Sequence, residues 1–458
     1  MQTSKLTVLT LSIALLSGLF ACKKTDIPHT EEAAPELVSK KVTPGFAEND
    51  MVLFWNEKAQ SVITLNINPP SQSRFFAMVQ LAVHDALNSI KPKYERYALV
   101  DAREPFVAVD AAVASAAYHT LNTLNLGSKQ LLQEWYTQSL AQVPDGESEL
   151  AGIELGKAAA AAIIAKRSTD NYAQANVQQP GTDGTEPGQY RSTLPFSLPA
   201  FPDIKALHLW GALMTPFALE SSSQFRPGAP YALNTPEYTA DYNEVKMKGG
   251  RVSHTRTPEE EQIARFWVER SAYGWNRLAR QLILQHKMDA WKTARLLALA
   301  HMAMADAATA SFEAKYYYFY WRPETAIRLG DVDGNPATVG DPTWLPMYTE
   351  TPNLANPAAN VNTPPLPDYP SLHAGYGGAA GEVLRLFFDT DQVSLDLTST
   401  TLPNVTRHYS TISQAIRDNS LSRIYVGYHF RKAVDAGEQQ GVQIGSYVFH
   451  NVLREEVE

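Results

Sequence analysis

Three short stretches hold the residues whose types and spacing can do chemistry. In KYYYFYWRPETAIR, residues 315–328, Lys315 and Arg322 lie seven residues apart. On a helix that is about two turns, which sets both cations on nearly the same side. Pro323 disfavours helical geometry at the residue before it, so Arg322 is expected where the helix is ending. A guanidinium held there among aromatic rings is suited to gripping a tetrahedral oxyanion. In YPSLHAGYGG, residues 369–378, Pro370 and Ser371 read as a helix start. Free backbone N–H groups and the positive end of the helix dipole meet there and bind oxyanions. Ser371 adds a hydroxyl donor, and His373 can sit beside the anion as an acid–base group. In SRIYVGYH, residues 422–429, Arg423 and His429 are six residues apart. That is about 240° around an ideal helix, so they converge only if the helix ends between them. Gly427 offers such an end. A histidine so placed can attack phosphorus or hold a metal-oxo anion through one ring nitrogen.

Each stretch alone has a plainer reading. Ser371 can be an ordinary N-cap with a surface histidine after it, and the Arg423–His429 spacing is a weak signal by itself. His84-Asp85 reads as a satisfied polar pair in the core. Asp306, nine residues before Lys315, falls on the opposite side of an ideal helix and reads as a structural hydrogen-bond acceptor. Asp331-Val332-Asp333-Gly334-Asn335 has its glycine too early for a calcium loop and reads as a turn.

The elements that must position these residues read as helices. Periodic apolar residues predict helices over Pro69–Ile90 and about Pro105–Leu124, Ser128–Val143, Glu149–Lys166 and Pro236–Lys248. Thr257-Pro258-Glu259-Glu260 is a capping box that opens one helix running to about Leu284. Asp289–Lys315 is rich in Ala, Leu and Met on every face and predicts a helix buried all round. Further helices are expected at about Ala374–Phe388, Ile412–Tyr425 and Ala436–Leu453, with long loops over Arg167–Pro202 and Gly330–Tyr369. Strand alternation is not evident, so the fold class is all-α. Gly375, Gly377 and Gly378 allow their helix to approach a neighbour closely.

The chain has 458 residues and a net charge of −9, which argues against nucleic acid or an anionic membrane surface as the main partner. An anion site must then be a local positive pocket in an acidic protein. Lys5 precedes an apolar run, Leu6–Phe20, that reads as a signal peptide. The ending Leu19-Phe20-Ala21-Cys22 resembles a bacterial lipobox. That implies cleavage before Cys22, acylation of its thiol, and an exported protein held to the cell envelope by lipid alone. Cys22 is the only cysteine, so no intramolecular disulfide can form. The expected layout is a signal peptide over 1–21, a polar tether over 22–50 and a helical catalytic domain over 51–458.

Taken together, Lys315-x6-Arg322-Pro323, Pro370-Ser371-x-His373 and Ser422-Arg423-x5-His429 resemble the signature of the type-2 phosphatidic acid phosphatase and vanadium-dependent haloperoxidase superfamily. Ala82-x-His84-Asp85-Ala86-x-Asn88 and Gln224-Phe225-Arg226-Pro227 are similar to its secreted bacterial haloperoxidase-like branch. The resemblance implies two packed helix bundles with vanadate, or phosphate, at the core of the second. It implies that Lys315, Arg322 and Arg423 neutralise equatorial oxygens, and that Ser371 and the amide of Leu372 donate hydrogen bonds. His429 would be the axial ligand of vanadium or a phosphoryl-accepting nucleophile, and His373 the acid–base group. The chain departs from the pattern at Leu372, commonly glycine, at Phe312, commonly tryptophan, and at Leu366, often aromatic or histidine. Ala433 stands where the phosphatases commonly carry an acid. Two chemistries stay open: halide oxidation by hydrogen peroxide, iodide or bromide before chloride, and hydrolysis of soluble phosphomonoesters. A non-catalytic oxyanion-binding protein is the third reading.

Overall fold

The computed structural model describes residues 50–177, 183–193, 197, 209–348 and 363–456. The expected signal peptide, Cys22 and the tether up to residue 49 lie outside the described residues. All the described residues belong to one unit of continuous contacts.

The fold is all-α, as expected. The amino-terminal bundle is α1 (Asp50–Val62), α2 (Pro69–Ile90), α3 (Val109–Thr123), α4 (Lys129–Leu140) and α5 (Glu147–Arg167), with α2, α3 and α5 packed on one another. Two single turns, α6 (Tyr172–Ala175) and α7 (Trp210–Leu213), and then α8 (Pro236–Lys248) lead to the second half. That half holds α9 (Pro258–Trp267), α10 (Ser271–Gln285), α11 (Ala290–Tyr318), α12 (Pro323–Arg328), α13 (Leu372–Phe388), α14 (Ile412–Tyr425) and α15 (Arg431–Asn451). α13 is its axis, lying against α15, α11 and α14. α11 also packs along α2 and so joins the two bundles.

The local causes are those the residues predict. Asp289 caps α11 by accepting from Lys292 N at 2.9 Å, and nearly every residue from Ala290 to Lys315 is buried. The capping box of α9 is present, with Glu260 N donating to Thr257 Oγ1 at 3.2 Å and Thr257 N to Glu260 Oε2 at 2.9 Å. A Cβ at Gly378 would stand 2.3 Å from the carbonyl oxygen of Glu438, so α13 and α15 touch backbone to backbone.

Asp85 of α2 and Asp306 of α11 are both fully buried and do the same job. Asp85 accepts from the amides of Tyr97, Ala98 and Leu99 at 2.6–2.9 Å. Asp306 accepts from those of Phe217, Ala218 and Leu219 at 2.6–3.0 Å. Each carboxylate replaces lost water with three N–H donors and pins a loop across its bundle. Both are structural. In the loop after α12, Asp333 accepts from Asn335 N at 2.8 Å and from Thr338 Oγ1, the turn that was expected.

Three expectations need correction. The helix expected from Thr257 to Leu284 is two helices, broken at Val268–Arg270. There the Glu269 carboxylate turns to the Arg277 guanidinium and to Thr400 Oγ1 at 2.7 Å, away from the helical path. A two-stranded antiparallel sheet, β1 (Gln392–Leu397) with β2 (Arg407–Thr411), was not foreseen. Its buried residues alternate over only a few positions, too short a run to stand out from helix periodicity. α1 was likewise not foreseen. No described helix is long and apolar enough to cross a membrane.

Candidate active site

Lys315 and Arg322 do come together, though not on one helix. α11 stops at Tyr318, where Phe319 takes the left-handed conformation at φ 49°. The next residues are drawn into other pairings: Tyr190 N donates to Phe319 O at 2.8 Å, and Asp368 N to Tyr320 O at 2.8 Å. Arg322 is the N-cap of α12, with Pro323 at the first helical position. So the arginine opens a helix rather than closing one.

α14 ends as Gly427 allows. Its φ is +83°, Tyr428 N donates to Arg423 O at 3.0 Å, and Gly427 N donates to Ile424 O at 2.9 Å. This is a Schellman cap, and it reverses the chain so that His429 N also reaches Arg423 O at 3.3 Å. A Cβ at Gly427 would meet Gly249 O at 2.3 Å, so the turn admits no side chain.

The side chains then converge in a dry space. Lys315 is fully buried, and its ammonium donates to the carbonyls of Pro367 and Asp368 at 2.8 and 3.0 Å. Arg322 donates from Nε to Leu366 O at 2.7 Å and from Nη1 to Tyr428 O at 2.9 Å. The same Nη1 lies 3.0 Å from Nε2 of His429. It is also 3.4 Å from Nδ1 of the same ring, and Nδ1 lies 2.8 Å from Oδ1 of Asp368, off the straight line of a hydrogen bond. Arg423 is buried, its guanidinium 5.1 Å from the Tyr428 ring centre, and its Nε and Nη1 have no hydrogen-bond partner. His373, on the first turn of α13, holds its Nδ1 3.0 Å from the Ser271 hydroxyl. It stands close enough to His429 and Arg423 to be coupled to both.

Ser371 is fully buried and caps α13, its hydroxyl facing Ala374 N at 3.5 Å while its own N–H donates to Ala433 O at 2.8 Å. The first helical bond of α13 runs from Gly375 N to Ser371 O at 3.0 Å, so the amides of Leu372 and His373 precede the helix's own bonding. The Leu372 side chain packs with Leu366 against Phe312, Trp210 and Met214. The three departures from the family pattern thus gather in one apolar wall.

The electrostatics follow from three cations with one carboxylate in contact. Burial lowers Lys315 well below an ordinary lysine, and Arg322 lowers it further. Burial brings Arg423 down to about 10, again with Arg322 adding to the effect. His429 falls well below an ordinary histidine through burial, then through Arg322, Lys315, Arg423 and His373. His373 falls for burial first and Arg423 second. Asp368 moves the other way, pushed up to about 7 by burial against the pull of Arg322 and Lys315. An unpaired buried guanidinium is costly, and a multiply charged anion among these groups would offset that cost and draw the cations and imidazoles back up. The donor set fits an oxyanion such as vanadate or phosphate: hard cationic N–H donors, one neutral imidazole nitrogen, and free amides at a helix start. Among the described residues no cluster of acids, cysteines and histidines could hold a metal cation.

Two neighbours of the site were not foreseen. Asp368 had a signal, an acid between Pro367 and Pro370 directly before the serine motif, but nothing in the spacing tied it to His429. Ser271 had none, because it reaches His373 only through the break between α9 and α10.

Comparison with known proteins finds similarity to vanadium haloperoxidases. Residues 295–455 match the family model described as the VCPO second helical-bundle domain. The chain is 25% identical to the vanadium chloroperoxidase of Curvularia inaequalis over 83% of this chain and 78% of that one. Among solved structures, a bacterial vanadium-dependent iodoperoxidase superposes with a TM-score of 0.72 at 26% identity, over 89% of this chain and 98% of that one. The holo form of a bacterial vanadium-dependent chloroperoxidase superposes with a TM-score of 0.66 at 15% identity, over 90% and 98% of the two chains, a likeness of fold.

Proposed function

The chain belongs to the vanadium-dependent haloperoxidase superfamily as an enzyme of that class, and from that premise we propose that it oxidises iodide, and less readily bromide, with hydrogen peroxide. The observation that carries this reading is the Arg423 guanidinium, two of whose nitrogens are unpaired, buried with Lys315 and Arg322 around a neutral His429. In this reading the three cations hold the oxygens of vanadate, Ser371 and the Leu372 amide donate to them, and His429 gives its Nε2 lone pair to the metal. Bound vanadate would supply the Lewis acid that activates peroxide. The net reaction, peroxide with halide and one proton to hypohalous acid and water, needs a proton donor. His373 is placed for that task. The apolar wall of Phe312, Leu366 and Leu372 favours the halide that costs least to desolvate, which is also the easiest to oxidise.

One observation favours a second reading. The carboxylate that Ala433 does not provide reaches His429 from Asp368 instead, so a phosphoryl-accepting His429 would have an acid behind it. Five-coordinate vanadate has the shape of a phosphoryl-transfer transition state, and one pocket can serve both. The test is one protein in two assays. Apo-protein given vanadate and peroxide should oxidise iodide faster than bromide and bromide faster than chloride, and phosphate should suppress it. Hydrolysis of p-nitrophenyl phosphate without vanadate, beside no halide oxidation with it, would move the assignment to the phosphatase.

We further propose that the protein is exported and acylated at Cys22. Intact mass from the membrane fraction should begin at Cys22 with added lipid, and an unmodified or absent Cys22 would end that idea.

A further inference from the structure

We propose that Asp368 is the positioning residue of the site: its carboxylate holds the proton of His429 on Nδ1, so that Nε2 presents its lone pair to the anion. This rests on the reading of His429 as the group that bonds the anion, and it names a residue that the motif does not contain.

A neutral imidazole has one N–H and one lone pair, and its neighbours decide which nitrogen has which. Around His429 the carboxylate selects the form. Asp368 Oδ1 lies 2.8 Å from Nδ1, whereas Arg322 Nη1 lies 3.0 Å from Nε2 and 3.4 Å from Nδ1 and so faces both ring nitrogens. The carboxylate has no proton to spare while ionised, so Nδ1 carries the hydrogen and Nε2 keeps the lone pair. The opposite tautomer would set a lone pair against a carboxylate. The two groups are in contact but not aligned as a hydrogen bond, and among the described residues neither oxygen of the carboxylate has a hydrogen-bond partner, so the contact acts through charge until a bound anion draws the groups into line.

Asp368 is also held more firmly than a loop residue needs to be. Its side chain is fully buried. Its N–H donates to Tyr320 O at 2.8 Å, and its carbonyl accepts from the Lys315 ammonium at 3.0 Å. The Pro367 carbonyl beside it accepts from the same ammonium at 2.8 Å. One lysine therefore fixes the backbone whose side chain orients the histidine, while Arg322 bridges to both, 3.9 Å from Oδ1 of Asp368. When Nε2 shares its pair with an electron-poor centre, positive charge grows on the ring, and the carboxylate behind Nδ1 stabilises it. The partner of a ligating imidazole's second nitrogen commonly has this role.

The test reads the ring directly. Nitrogen-15 NMR of the apo-protein, with the His429 signals identified by their loss in His429→Ala, should show Nδ1 protonated and Nε2 bare. In Asp368→Ala the two forms should mix, and vanadate affinity should fall about 10–100-fold. Asp368→Asn, which keeps an acceptor oxygen but no charge, should hold the tautomer and lose affinity to a smaller degree. A protonated Nε2 in the unaltered apo-protein overturns the proposal whatever the variants do. So does an unmixed Nδ1–H form with wild-type vanadate affinity in a folded Asp368→Ala protein. If the unaltered protein shows the Nδ1–H form yet binds neither vanadate nor phosphate, it is the reading of the site that fails and not the role of Asp368.

Discussion

Arg423 is the residue on which the site turns, because it is buried with two guanidinium nitrogens unpaired. Arg423→Ala should weaken phosphate or vanadate binding by about 1.5–3 kcal/mol, the range for charge-assisted hydrogen bonds. The same change should raise the stability of the apo-protein, since it removes an uncompensated buried charge. Calorimetric titration and urea unfolding of one variant read both. Unchanged affinity would take Arg423 out of the site, and a less stable apo-protein would show that its charge is already satisfied. At this scale the sequence was informative: Lys315, Arg322, Arg423 and His429 are buried close together with a partly buried His373 beside them, as their types and spacing suggested. Asp368 and Ser271 were not legible. Each acts through a contact between distant segments, and a carboxylate or hydroxyl in a loop carries no mark of which imidazole it will meet.

Elements were legible where a cap or a composition stated their limits. The capping box at Thr257, the all-round apolar α11 and the glycine-ended α14 stand where expected. The break at Val268–Arg270 was not, because Glu269 leaves the helix for partners on α10 and at Thr400. It matters for function, since it sets Ser271 against His373. α11 also carries a cost of its own in His301, which is buried, stacked 4.6 Å from the Phe76 ring and bonded from Nε2 to Asn276 Oδ1 at 2.9 Å. Burial pushes His301 down to about 3. A depressed folded value means that the unfolded chain binds the proton first as the pH falls. The stability from a neutral His301 is therefore complete above about pH 6.5 and is lost as the pH falls from there towards the folded value. His301→Gln keeps a donor towards Asn276 and cannot titrate. Its urea midpoint should fall less between pH 7 and pH 4 than that of the unaltered protein, and equal falls would exclude His301 as a source of acid sensitivity.

At the scale of the molecule, an acidic chain of net charge −9 encloses a knot of cations at the core of its second bundle. Such a field is local, so affinity for an anion must come from contact and dehydration rather than long-range attraction. The two-bundle architecture serves this by burying α11 between α2 and α13, which keeps Lys315 dry and leaves α13 to present the amides at its start. The overall class was legible from helical periodicity. The pairing of Asp85 with one loop and Asp306 with another was not, because it depends on how each bundle folds back on itself. The central claim is that His429 and the three buried cations form one oxyanion site, and the most direct test is a crystal structure of the protein soaked in vanadate. Vanadium should be found bonded to Nε2 of His429, its oxygens met by Lys315, Arg322, Arg423, Ser371 and the Leu372 amide. Vanadate bound elsewhere, with Nε2 of His429 still against Arg322 and Arg423 still unpaired, would contradict it.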